Sequence, residues 1–238
     1  MQFFLLVLLI CLFVFLYCVY VLVNDDFIFL RRDITMEKLF NIIFLGVLAS
    51  LFFSRLFYGF FHAKGILSNL FVFLLIPYFP GLSLLGGVVG AGAYFIFLAK
   101  RQGSQLPVGR MYDFFSIAFL VALPIGLMGY FLFSQEAMGI AKLGIQAVVY
   151  FVLFIIFLIF FLPRLLTGKF KEGTISLLFL ICFSLVSLIA NIFVKTNVLG
   201  YFKNFENITL ILIFLSSAFL FIQREDLISK IKQLKRRK

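Results

Sequence analysis

Acidic and basic side chains make up only 13% of this 238-residue chain, and histidine occurs once. A soluble domain carries about 25% charged residues. So little charge, beside 64% apolar residues and a mean hydropathy of +1.17, excludes a cytosolic or secreted domain. The three cysteines, Cys11, Cys18 and Cys182, fall in apolar runs with no CxxC or Cys/His spacing. They read as buried structural thiols, and no metal or soluble cofactor is expected. The first apolar run has no basic stretch before it and no small-x-small site after it, so a cleaved signal peptide is not expected. Bulky residues precede Cys11 and Cys18, so neither reads as a lipid-modified signal cysteine. Internal repeats and low-complexity linkers are also missing.

What the chain has is long apolar runs: Phe3–Val23, Leu39–Phe60, Leu82–Ala99, Phe114–Phe133, Ile145–Leu162, Ile175–Val194 and Ile208–Ile222. About 20 apolar residues cross a bilayer as a helix, and only a helix satisfies its own backbone in hydrocarbon. The runs also lack the alternation of a barrel strand. The expected fold is an all-α polytopic integral membrane protein with seven transmembrane helices over residues 1–222 and a basic tail over 223–238. Ile66–Ile76, which stops at Pro77 and Pro80, is too short to cross and reads as a re-entrant or interfacial helix. The 37 phenylalanines read as a lipid-facing bias.

The net charge of +11 is explained by membrane topology. Arg31, Arg32, Lys38, Lys100, Arg101, Arg110, Arg164, Lys169, Lys171 and the tail share one side of the membrane. Only Lys64, Lys142, Lys195 and Lys203 lie on the other. Cytoplasmic loops collect Lys and Arg, which places the N-terminus outside and the tail inside, and no nucleic-acid partner is needed. Within the tail, Leu227, Ile228, Ile231 and Leu234 recur at helical spacing among basic residues, as in a topology anchor at an anionic leaflet.

An ionisable residue within a span is costly and points to function. Arg55 is the clear case, with Tyr58 and His62 at i+3 and i+7 on the same helix face. This stripe reads as a lipid-phosphate contact or as an interfacial anchor whose arginine snorkels to the headgroups. Asp113, beside Arg110 at the start of the fourth span, reads as a helix N-cap. Gly86, Gly87, Gly90 and Gly92 in the third span, and Ala122 and Gly126 in the fourth, read as close helix packing. Pro124 predicts a kink.

Four segments, in order, resemble the prolipoprotein diacylglyceryl transferase family. Ser54-Arg55-Leu56-Phe57-Tyr58 resembles its Gly-Arg-Ile/Leu-x-Tyr, and Gly81-Leu82-Ser83-Leu84-Leu85-Gly86-Gly87 its Gly-Met-Ser-Phe-His-Gly-Gly. Asp113-Phe114 followed by Gly126-Leu127-Met128-Gly129-Tyr130-Phe131 is similar to its Asp-Phe and Gly-Arg-Leu-Gly-Asn-Phe. Gly173-Thr174-Ile175-Ser176-Leu177-Leu178-Phe179-Leu180 resembles Gly-x-x-Ser-Gly-Leu-Phe-Leu. The resemblance implies a bacterial inner-membrane protein that transfers diacylglyceryl from phosphatidylglycerol to a lipobox cysteine thiol. Its implied partners are phospholipid and lipoprotein signal peptides.

Set beside that pattern, Leu85 stands at the family's histidine. Leu127 and Tyr130 stand at its Arg and Asn, and Ser187 and Asn191 at the Arg and Glu of its sixth span. Arg55 and Asp113 keep charge, and Ser83 and Gln146 keep polarity. The head that the family inserts between spans four and five is reduced to Ser134–Gly144, and its Arg-Trp-Tyr-Gly start to span one is replaced by Met1-Gln2-Phe3. Thiol transfer needs a base and anion-holding cations, and loss of one oxyanion-type donor alone costs about 10²–10³ in rate. The expected function is retained phospholipid binding by Arg55, Tyr58 and Ser83, with catalysis lost or much reduced. Alternatives are an active transferase with a rearranged site, in which His62 serves as a displaced base, and a non-enzymatic partner subunit or small permease. The near absence of charge in the spans argues against the permease.

Overall fold

A computed structural model describes residues 2–24, 26, 28–29, 34–61, 70–74, 81–102, 106–133, 137–168, 170–192, 201 and 204–225. The chain is helical, in the order α1 (Gln2–Asn24), α2 (Met36–Phe61), α3 (Leu70–Leu74), α4 (Leu84–Gln102), α5 (Val108–Phe133), α6 (Ala137–Ile156), α7 (Leu162–Leu166), α8 (Thr174–Ile192) and α9 (Phe205–Arg224). No strand occurs among the described residues. Seven helical stretches are long and apolar enough to cross a membrane, and they correspond to the seven expected spans. Large apolar side chains face outward on them, among them Phe13, Phe44, Leu132 and Phe219. A water-soluble fold buries such groups, whereas a lipid-facing surface leaves them out. His62, the tail from residue 226 and the flanks of α3 within Ile66–Ile76 lie outside the described residues.

The chain divides into two compact units, one of Met1–Leu6 with Asn24–Val108 and one of Val7–Val23 with Gly109–Lys238. The first is built on α2 against α4. A Cβ on Gly86 would lie 2.5 Å from the Phe53 carbonyl oxygen, and one on Gly90 2.8 Å from that of Ala49. The glycines therefore let the two backbones touch, as their spacing predicts. At that distance serines become cross-helix ties. The Ser54 hydroxyl donates to the Ser83 carbonyl at 2.7 Å, and the Ser50 hydroxyl to that of Gly87 at 2.9 Å.

In the second unit, α1 lies on α5. Phe15 stacks on Phe115 with ring centroids 5.7 Å apart, and Val7 packs into the space left by the missing side chain of Gly129. Helix α5 begins at Val108, directly after Pro107, and runs through Pro124 to Phe133. Its start lies six residues before the expected Phe114. Asp113 is therefore inside the helix and does not cap it, a correction that follows from Pro107 setting the helix start. The fifth span joins α6 to α7 through a π-helical turn, Phe157–Phe161. Leu162 N–H bonds the Phe157 carbonyl five residues back, and Pro163 follows with no N–H to give. Widening the turn accommodates the proline without ending the span.

Gly86→Leu is expected to lower the thermal stability of the purified chain by about 1–3 kcal/mol through overpacking. A Cβ on Gly92 meets nothing within 4 Å, so Gly92→Ala should leave the melting temperature unchanged or raised. Detergent-phase unfolding followed by circular dichroism checks both.

Candidate functional site

In the first unit the residues singled out by sequence gather around Gly81. Arg55 is 1% exposed and spends its guanidinium on backbone carbonyls. Nη1 donates to Gly81 at 2.8 Å, Nη2 to Val72 at 2.9 Å and Nε to Phe73 at 3.3 Å. Val72 and Phe73 belong to the described part of α3. Gly81 immediately precedes the residues that start α4. The arginine thus pins the connection between two spans to the wall of α2, and it does not snorkel outward as an anchor. Gly81, at φ +152, lies against the Tyr58 ring, leaving no room for a Cβ. Ser83 is buried two residues on, and its hydroxyl oxygen accepts the Gly86 N–H at 3.3 Å at the start of α4. Leu85, at the family histidine position, is buried apolar packing.

In the second unit Asp113 meets the start of α8. One carboxylate oxygen accepts the Gly173 N–H at 2.7 Å and the other the Ser176 N–H at 2.9 Å. These are donors that a helix N-terminus leaves unpaired, and the helix dipole favours an anion there. Gly173 adopts φ +84, a left-handed conformation suited to glycine, and the Ser176 hydroxyl donates back to its carbonyl at 2.8 Å. From the other flank, Glu225 accepts the Thr174 hydroxyl at 2.7 Å and the Lys171 N–H at 3.4 Å. One turn before Asp113, Arg110 donates to the Leu165 carbonyl at 3.0 Å. Glu225 was not legible in the sequence, because its partners lie some fifty residues away in the chain.

Closer to the other end of α8 stand Ser187 and Asn191. The Ser187 and Tyr150 hydroxyls lie 3.2 Å apart. Asn191 Nδ2 donates to Asn207 Oδ1 at 2.8 Å, and Asn207 Nδ2 donates to the Tyr201 carbonyl at 2.9 Å. The Tyr201 hydroxyl returns to the Leu188 carbonyl at 2.8 Å, so polar groups of α8 and α9 close on one another. Asn207 is fully buried, as is Tyr150 to within 1%. Sequence reasoning missed both. An asparagine inside an apolar run is itself a signal of cross-helix bonding, but it does not name the partner. Gln146, one turn before Tyr150 on α6, is buried with no hydrogen-bond partner among the described residues. Of the other two positions, Leu127 is half-buried and Tyr130 about half exposed. No group of three or more His, Cys, Asp or Glu able to hold a metal occurs among the described residues.

The sequence profile described as prolipoprotein diacylglyceryl transferase matches residues 2–222, nearly the whole chain. The chain belongs to the prolipoprotein diacylglyceryl transferase family. No curated protein and no solved structure matches it. It is accordingly a multi-pass membrane protein of a family concerned with lipid and lipoprotein substrates. Two of the segments that resemble the family's motifs prove to be one device, since Asp113 of the first holds Gly173 and Ser176 of the second.

Asp113→Ala leaves two amide donors at the α8 start without their acceptor and should cost about 3 kcal/mol or more. Asp113→Asn, which keeps one acceptor oxygen, should cost about half as much. Faster hydrogen exchange at the Gly173 and Ser176 amides, measured in detergent micelles, locates the effect.

Proposed function

We propose that this chain is a diacylglyceryl-transferase-fold protein of the bacterial inner membrane, N-terminus outside, that binds anionic phospholipid and carries out little or no transfer. The observation that carries the proposal is the chemistry at the sixth-span positions. Ser187 faces the Tyr150 hydroxyl and Asn191 bonds Asn207. Transfer of a diacylglyceryl group to a thiol leaves glycerol phosphate behind, so it requires a proton acceptor for the thiol and cations that hold the departing phosphate more tightly as charge develops. Hydroxyls and amides bonded to one another supply neither. Leu85, Leu127 and Tyr130 remove the remaining family groups.

Phospholipid recognition is assigned to Arg55, with Tyr58 and Ser83. The three carbonyls around the guanidinium solvate its charge without neutralising it. They use three of its five N–H donors. A phosphate approaching Gly81 meets a full positive charge in surroundings of low dielectric. Ser83 still has its own O–H to donate, since its oxygen is the acceptor from Gly86.

Two measurements test the two halves of the proposal. Expression in a bacterium depleted of its own transferase is expected not to restore growth, and restored growth overturns the claim of lost transfer. Phosphatidylglycerol co-purifying with the chain should fall severalfold in Arg55→Gln while the chain stays folded in milder detergent. Unchanged lipid with lowered thermal stability makes Arg55 a brace alone and removes the binding assignment.

A further inference from the structure

At the opposite end of α2 from Arg55, α2 and α4 enclose a groove of about 480 Å³ that the reading above does not use. The size is that of a small-molecule site. Lys38 and Arg101 line its rim together with Asn41 and Glu37. All four are exposed. Leu45 and Phe97, both outward-facing, line it one to two helical turns further along from the rim, as does Tyr94, whose ring lies 3.4 Å from the Cβ position of Gly46. Because α2 enters the membrane from this end and α4 leaves toward it, the lining passes from charged to apolar with depth. That gradient matches an amphiphile standing along the membrane normal, with its headgroup at the rim and its chain below.

We infer that this groove is a binding site for an anionic phospholipid in the leaflet at the α2 start, its phosphate between Lys38 and Arg101 and an acyl chain over Leu45 and Phe97. Charge decides the headgroup. Among the described lining residues, two cations against Glu37 leave a net single positive charge, which complements a phosphodiester without a headgroup cation. The α2 N-terminus adds partial positive charge, with Thr35 Oγ1 already accepting the Lys38 N–H at 3.3 Å. Lys38 and Arg55 stand about 25 Å apart along one helix at 1.5 Å per residue. Since the hydrocarbon core is about 30 Å thick, the groove serves the other leaflet and stands independently of the Arg55 reading. A lipid there would bridge α2 and α4 at the end away from their Gly86 and Gly90 contacts and serine ties.

The chain contains no tryptophan, so Phe97→Trp introduces a single emitter at an outward-facing position. The full-length variant is reconstituted in phosphatidylcholine vesicles containing brominated-chain phosphatidylglycerol, phosphatidylethanolamine or phosphatidylcholine at equal mole fractions. Brominated phosphatidylglycerol is expected to quench at the lowest mole fraction. Lys38→Gln and Arg101→Gln should each weaken that preference about fivefold, while Lys38→Arg keeps it and Glu37→Gln sharpens it. Equal quenching by all three lipids, or a preference untouched by Lys38→Gln with Arg101→Gln, overturns the site. So does stronger quenching by phosphatidylethanolamine, which would mean a zwitterion paired with Glu37. Loss of the preference on adding inorganic phosphate at constant ionic strength would mean a free-anion site and overturns the lipid assignment as well.

Discussion

Hydrocarbon offers no hydrogen bonds, so each polar group carried into these spans has to find its partner within the protein, at a cost of several kcal/mol if it fails. The principal polar arrangements in this structure answer that constraint, and they do so in different ways. Arg55 is surrounded by the carbonyls of Val72, Phe73 and Gly81, and it becomes the pin that holds them to α2. Asp113 is placed where a neighbouring helix presents unpaired N–H groups, and it fixes the start of α8. Ser187 and Asn191 are satisfied by Tyr150 and Asn207, which are uncharged.

The last of these carries the proposal that transfer is lost. A transfer site keeps charged groups poised and incompletely satisfied until substrate arrives, and it bears the cost of doing so. Once such groups become a hydroxyl and an amide, the cheapest arrangement is mutual bonding, and the helices can close over them. Neutral pairs between α8 and its neighbours therefore favour stable packing over reactivity. The scaffold devices stand beside them: the glycine contact between α2 and α4, the left-handed Gly173, and the Ser176 hydroxyl turned back on it.

Much of the scaffold was legible in the sequence. Uninterrupted apolar runs mark the seven spans, and Leu39–Phe60 falls inside the observed Met36–Phe61. The glycine spacing marked α4 for close packing but did not name α2 as its partner, and Gly92 meets nothing within 4 Å. The start of α5 was misplaced because Arg110 and Asp113 look like loop residues until their partners on the α7–α8 side are known. The pairs Tyr150–Ser187 and Asn191–Asn207 were not legible for a related reason. Hydropathy says which residues enter the membrane, but it does not say which faces meet there. Glu225 escaped notice as one acidic residue beside a basic tail, although it holds the Thr174 hydroxyl.

The central claim is that neutral, mutually bonded side chains cannot handle the thiol proton and the departing phosphate. Its most direct test is to incubate the purified chain in phosphatidylglycerol vesicles with a lipobox peptide and look for the thioether-linked diacylglyceryl product by mass spectrometry. No product above the enzyme-free background is expected. Steady product formation that Asn191→Leu or Arg55→Gln abolishes would contradict the account.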